Sequence, residues 1–288
     1  MLPTILSIQS WVATGHVGNA AAIFPLQRLG AEVWAIHTVQ FSNHPGQGPF
    51  TGQIYPGANT AALIDGIEAR GLLPACDALL SGYMGDAETG HAIIHAADRL
   101  RTANPNALFC CDPVIGDTGR GIYVRPTIPS LIHNHLVPRA DILTPNLFEL
   151  EYLTSHPCPT LAATRTAIAT LQSRMPPHRP GIVLVTSLAL PETPALHLDL
   201  LAADRTAVWR LRVPRLPITP NGAGDAIAAL FLLHILRTNS VPDALANSAS
   251  AIAAILRRTA AANAPDLLLV QAQDELAAPT IRYTPELL

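Results

Sequence analysis

The feature that most limits what this chain can fold into is an alternation of short, β-rich apolar runs with longer helix-patterned segments. The runs fall at 4–8, 33–37, 78–80, 108–111, 141–143 and 182–186. Between them lie helical patterns at 18–29, 60–69, 87–103, 147–154 and 161–173. Strands that alternate with helices in this way predict an α/β fold: a three-layer α/β/α sandwich around a mostly parallel central sheet. The segments 197–201 and 207–213 flank the turn-like Ala203-Asp204-Arg205 and predict an antiparallel hairpin at the sheet edge. Beyond them the chain reads as helical, at 224–237, 242–261 and 272–276. Two segments lack either period. Residues 41–57 and 116–126 are rich in glycine and proline and read as a flap-like loop and a second loop of the same character. At 288 residues the chain is expected to hold one domain spanning 1–288.

Composition narrows the partners. Hydrophobic residues make up 49% and charged residues 14%, with a mean hydropathy of +0.28, so much of the chain must be buried or face another copy. A net charge of −3 with no basic block predicts neither a nucleic-acid nor a membrane partner. The longest apolar candidate for a span is interrupted by His234 and Arg237. Cys76, Cys110, Cys111 and Cys158 show no C-x-x-C spacing, and with no signal peptide visible they fit reduced thiols in the cytoplasm. All 18 basic residues are Arg, which excludes a P-loop lysine and a lysine Schiff base. With abundant Ala and 26 Pro, the missing lysine reads chiefly as a high-GC coding bias.

Most strand candidates run into small or polar groups: Ser10, Ser81-Gly82-Tyr83, Asp112-Pro113, Thr144-Pro145-Asn146 and Thr186-Ser187. In a parallel sheet these meet at one edge, where open α/β folds bind ligands. Any one alone could be a helix cap. Asn221-Gly222-Ala223-Gly224-Asp225 precedes an apolar helix whose first amides lack partners, so an anion is expected at this turn. Asp225 would repel that anion unless it served as a base or bound a cation; the alternative is that Asp225 merely caps the helix. The pairing of anion turn and carboxylate suggests phosphoryl transfer to a hydroxyl. Asp112 and Asp117 could hold Mg²⁺, with Glu149 completing the set, or could only solvate a loop and support a helix start. His91 and His95 read as a solvated helix face rather than a metal pair, His133 and His135 are weaker metal candidates still, and Gly15-His16-Val17-Gly18 reads as a structural turn bordering the site.

Specific motifs then add a family. Gln9-Ser10, Thr38-Val39-Gln40-Phe41-Ser42-Asn43-His44, Ser81-Gly82-Tyr83, Cys111-Asp112-Pro113-Val114-Ile115-Gly116-Asp117, Thr144-Pro145-Asn146-Leu147-Phe148-Glu149-Leu150-Glu151 and Gly222-Ala223-Gly224-Asp225 resemble the pyridoxal kinases of the ribokinase-like superfamily, in the bacterial branch of vitamin B6 salvage. The match runs nearly end to end. The last motif marks only the superfamily; the Val-Gln-Phe-Ser-Asn-His and Asp-Pro-Val stretches mark pyridoxal.

The resemblance implies ATP-dependent phosphorylation of the 5′-hydroxymethyl group of pyridoxal by a cytoplasmic homodimer. It implies that Asp225 is the base and that the amides of Gly222, Ala223 and Gly224 form the anion hole. Ser10, Phe41, His44, Pro45, Gly46, Tyr83 and Asp225 would hold the vitamin, and Asp112, Thr144, Asn146, Glu149, Thr186, Ser187 and Ala223 the nucleotide. Mg²⁺ would sit near Asp112, Asp117 and Glu149, and a monovalent cation is left open. Three positions depart from the family pattern: Thr186 where a Lys is common, Pro45 where a Thr is common, and Phe50 in place of Trp. The alternatives are a hydroxymethylpyrimidine or sugar kinase of the same superfamily, or a B6-binding carrier with negligible turnover.

Overall fold

In the computed structural model, which describes residues 2–288, the apolar runs line up as a ten-stranded sheet. The chain passes through β1 (Thr4–Val12), α1 (Asn19–Arg28), β2 (Glu32–Phe41), β3 (Gly52–Ile54), α2 (Gly57–Ala69), β4 (Ala78–Ser81), α3 (Ala87–Ala103) and β5 (Leu108–Cys111). A small ribbon follows, β6 (Gly116–Asp117) and β7 (Gly121–Ile122), then α4 (Thr127–Leu131), β8 (Ile142–Leu143), α5 (Leu147–Thr154), α6 (Leu161–Arg174) and β9 (Ile182–Leu188). The last part holds β10 (His197–Ala203), β11 (Val208–Pro214), α7 (Ala223–Thr238), α8 (Val241–Ala261), α9 (Asp274–Ala277) and β12 (Glu286–Leu287).

The sheet order is β12-β11-β10-β9-β8-β5-β4-β1-β2-β3. All pairs from β2 to β9 are parallel, and β3, β10, β11 and β12 join antiparallel at the two sides. The expected parallel core and antiparallel hairpin are both present. Strand residues alternate between two cores because successive side chains leave opposite faces. Leu6, Leu79, Cys111, Leu143 and Val183 enter the core beneath α2 to α6, while Ile5, Leu80, Cys110, Ile142 and Leu184 enter the one beneath α1, α7 and α8. Helix α7 is buried over 226–233 because it lies between the sheet, α1 and α8. That explains why its apolar run shows no polar face.

The loop at 41–57 is shorter than its composition suggests: it contains one turn of 3-10 helix at Pro45–Gln47 and strand β3, and α2 already begins at Gly57. The loop at 116–126 folds into the β6–β7 ribbon. Among the described residues no helix is long and apolar enough to cross a membrane, and the four cysteines are buried and free. His95 pairs with Asp65 at 2.9 Å, while the ring of His91 lies 6.5 Å from that of His135, so the helix-face reading of this pair holds.

Candidate active site

The anion turn is built on one obligatory glycine and one optional one. Gly222 caps α7 at φ 87° and ψ −5°, and a Cβ placed on it would lie 1.7 Å from the His16 carbonyl oxygen. Only glycine fits both the left-handed backbone and that approach. A Cβ on Gly224 would meet open space, so the absence of a side chain there leaves room beside the helix end. The first helical hydrogen bond runs from the Ala226 amide to the Gly222 carbonyl at 3.0 Å, and the amides of Ala223, Gly224 and Asp225 precede it without an intrahelical acceptor. Asp225 is therefore not the cap: it is the third residue of α7. Burial pushes its carboxyl pKa up, against the opposing pull of the Gly18 amide and its own.

The turn at 15–18 does more than connect β1 to α1. Gly18, at φ 54° and ψ −131°, packs so tightly on Ser10 that a Cβ would lie 2.3 Å from the Ser10 hydroxyl oxygen and 2.4 Å from its carbonyl oxygen. Below this contact lies a buried polar cluster. The Ser7 hydroxyl donates to Asn19 Oδ1 at 2.7 Å, Gln9 Nε2 donates to the Ser7 hydroxyl at 3.0 Å, and Asn19 Nδ2 donates to the Ile36 carbonyl at 3.0 Å. The start of α1 is thus tied to both β1 and β2, which fixes Gly18 between Ser10 and Asp225.

Across the strand ends, a second group forms around Asp112. Its Oδ1 accepts the Thr144 hydroxyl at 2.9 Å. Burial and the nearby charge of Asp225 push the Asp112 carboxyl up to about 7, while the Thr144 hydrogen bond opposes them. Glu149 is buried as well. Its Oε1 accepts the Ile115 amide at 2.9 Å and the Gly116 amide at 3.4 Å, and its Oε2 accepts the Asn146 amide at 3.0 Å. Asn146 completes a capping box by accepting the Glu149 amide at 2.9 Å, and its Nδ2 donates to the Gly116 carbonyl at 2.8 Å. The helix-start reading of Glu149 is therefore correct as far as it goes, but the same carboxylate also ties the loop after β5 to α5. Its pKa is raised, by burial first and then by Asp112. Asp117 is exposed on the ribbon, with Oδ1 accepting the Thr118 amide at 2.7 Å. No group of three or more His, Cys, Asp or Glu side chains arranged for a metal occurs among the described residues.

Thr186 and Ser187 sit at an irregularity in β9. Leu188 pairs with Asp199 and Val185 with Leu201, so the two residues between them face one residue of β10. This is a bulge, and Ser187 takes φ 59° in it. Backbone strain of this kind collects where a side chain must be re-aimed. The bulge turns Thr186 and Ser187 into a cavity whose other lining includes Ala223 and Gly224 of the anion turn, with Leu198, Leu200 and Ile227 behind. Asn146 bridges to Thr186, so the Glu149 group and this cavity are continuous.

The residues from the 41–57 loop are gathered less closely. Phe41 packs against Phe50 with tilted rings whose centroids lie 4.9 Å apart, and it faces a shallow cavity lined by Ala13, Gln40, Thr51 and Tyr55. His44 accepts the Gly46 amide at 3.1 Å, and burial lowers its pKa, with Arg120 adding to that and Asp266 opposing it. Pro45 and Gly46 are exposed. Tyr83 is half-buried at the end of β4, and its carbonyl accepts the Thr38 hydroxyl at 2.7 Å.

A family model described as phosphomethylpyrimidine kinase matches residues 75–266. A pyridoxal kinase PdxY from Granulibacter bethesdensis is 56% identical over 96% of this chain and 96% of its own length, and one from Deinococcus radiodurans is 52% identical over 98% and 95%. The chain belongs to the pyridoxal kinase PdxY family. Among solved structures, the pyridoxal kinase of Leishmania donovani in complex with ADP and pyridoxamine superposes with a TM-score of 0.90 at 27% identity, covering 99% of both chains.

Two parts of this PdxY-family site had no signal in sequence. Tyr123, half-exposed just past the ribbon, feels the charges of Glu149, Asp112, Asp225 and Asp117, and partial burial followed by these charges raises its phenol pKa. Nothing in the periodicity of 116–126 marks it. The Thr186–Ser187 bulge is likewise invisible: the sequence ends this strand at 186, whereas β9 continues through the bulge to Leu188. Gly18 had a partial signal, a glycine before a helix, but its approach to Asp225 depends on how α1 and α7 pack.

Proposed function

We propose that this chain transfers the terminal phosphoryl group of ATP to the 5′-hydroxymethyl oxygen of pyridoxal, giving pyridoxal 5′-phosphate. The observation that carries the reading is the placement of the Asp225 carboxyl in the first turn of α7, one residue past Ala223 and Gly224, whose amides have no partner. Asp225 takes the proton of the hydroxyl as its oxygen bonds to phosphorus and the bond to the departing ADP oxygen breaks. A positioned base of this kind contributes ~10² to 10⁴ in rate. The amides of Gly222, Ala223 and Gly224 hold the moving phosphoryl oxygens, and each such donor contributes about 3 kcal/mol to the transition state.

The vitamin lies against Ser10, Gly18 and Tyr83, under the loop that carries Phe41, His44, Pro45 and Gly46. The triphosphate runs past Asp112, Thr144, Asn146 and Glu149, and the base enters the cavity behind Thr186, Ser187 and Ala223. Asp112 and Glu149 suit a divalent cation: both are buried, Asp112 raises the pKa of Glu149 and Asp225 raises that of Asp112, repulsions that positive charge relieves. Asp112 would hold the ion, Glu149, which already accepts three amides, would add its charge nearby, and Asp117 would stand at the exposed margin. When bound, Mg²⁺ neutralises charge that develops on the phosphates. The reading treats 1–288 as one catalytic domain. Its four free, buried thiols fit a cytoplasmic location and its apolar composition fits a homodimer.

The test is an ATP-consumption assay with purified protein across pyridoxal, pyridoxine, pyridoxamine and hydroxymethylpyrimidine. Pyridoxal turnover that is lost in Asp225→Asn, with both ligands still bound, supports the assignment. Hydroxymethylpyrimidine as the better substrate would transfer the reading to the family whose model matches 75–266, a span that leaves out the 41–57 loop. Tight vitamer binding without ATP consumption would indicate a carrier.

A further inference from the structure

The walls of the cavity beyond Thr186 and Ser187 present almost nothing that could recognise the edge of a base. From the sheet come Leu198, Leu200 and Val213; from α8 come Ile252, Ala253 and Leu256. The α8 residues lie well inside a helix that runs from Val241 to Ala261, so their amides and carbonyls are spent within it. Strand β10 is bordered on one side by β9 and on the other by β11, and Leu198 pairs directly with Val213. The hydroxyls in the lining belong to Thr186 and Ser187, which sit beside Ala223 and Gly224, at the phosphate end.

Nucleobases of one size differ mainly in the donors and acceptors along their edges. A wall of CH groups can select for a flat ring but cannot tell those edges apart. Resting on the phosphoryl-transfer reading above, we infer that this chain selects its donor by the phosphates and by the shape of a purine, so that guanine nucleotides serve it within about 100-fold of adenine nucleotides. Hydrophobic pockets reject a ligand carrying a different polar group by only about 10²-fold, whereas sites built to hydrogen-bond a group reject its absence by roughly 10⁴ to 10⁵.

The experiment is kcat/KM for ATP, GTP and ITP at saturating pyridoxal, paired with thermal-shift titrations of the intact protein with ADP and GDP. GTP and ITP within about 100-fold of ATP, with similar ADP and GDP stabilisation, is the expected result. A preference for ATP above about 10³-fold, or stabilisation by ADP alone, would overturn the inference while leaving the kinase reading in place. Equal stabilisation by ADP and GDP without turnover of any vitamer would do the reverse: the cavity inference would stand and the kinase reading would fail.

Discussion

On the side of β5, β8 and β9, each candidate residue is fixed by something buried. Asp112 is held by Thr144, Glu149 by three amides, Asn146 by Gly116, and Ser187 by the bulge that the β9–β10 register imposes. On the side of β2, the loop carrying His44, Pro45 and Gly46 is largely exposed and held mostly by its own short-range bonds, apart from a Gln47 to Asp266 hydrogen bond of 2.7 Å. The contrast separates two tasks. Phosphoryl transfer needs donors and acids that do not reorganise during the reaction, so they sit on strand ends and helix starts. Recognition of one vitamin among similar rings can be left to a loop that closes on it. In the proposed assignment the nucleotide side is accordingly costly to alter, and the vitamin side is cheap.

The largest expected effect is Asp225→Asn. It should lower kcat by ~10² to 10⁴ with nucleotide and vitamer affinities nearly unchanged; a kcat near that of the unaltered protein removes Asp225 as the base. Next come the two glycines. Gly222→Ala must hold alanine at φ 87° against the His16 carbonyl, so it should destabilise by at least roughly 1–3 kcal/mol and depress activity. Gly224→Ala meets nothing in the protein and should leave the melting temperature unchanged while raising KM for the nucleotide. Equal melting temperatures for both variants would break the distinction drawn between them.

A smaller effect concerns pH. The Asp112 carboxyl titrates at about 7 in the fold against 3.8 ordinarily, so the folded protein binds the extra proton between those values. Its contribution to stability is fully present below about pH 4 and is lost as pH rises through about 7. Glu149 and Asp225, also raised, act in the same sense. The ligand-free protein should therefore show a melting temperature that falls between pH 5 and 7.5, and Asp112→Asn should flatten that slope; an unchanged slope contradicts the repulsion between the buried acids. The smallest effect is on the loop. Pro45→Thr restores an amide and a hydroxyl at an exposed position and should lower KM for pyridoxal by a few-fold, on the order of one hydrogen bond, at constant melting temperature. A loss of stability in that variant would show the loop to be as firmly built as the nucleotide side.

The alternation of strands and helices, the Gly222 turn and the acids after β5 and β8 were legible from sequence because each is a local pattern. Hydrophobic period, glycine before a helix and a capping box all act within a few residues of one another. Strand β3, the β6–β7 ribbon and β12 left no such signal, since runs of two or three residues carry no period. Glu149 shows the limit within one residue: its place at the start of α5 follows from Asn146 three positions earlier, but its grip on the Ile115 and Gly116 amides does not.

By itself the sequence determined the order of the central strands and of the main helices between them, and which polar residues gather toward the strand ends, because these rest on side-chain spacing along a single segment. Only the tertiary structure decided that Gly18 meets Asp225, that Asp112 feels Asp225's charge, and that a bulge aims Thr186 and Ser187 into an apolar cavity. Those depend on how distant segments pack, where burial and the absence of water set the strength of every charge and hydrogen bond.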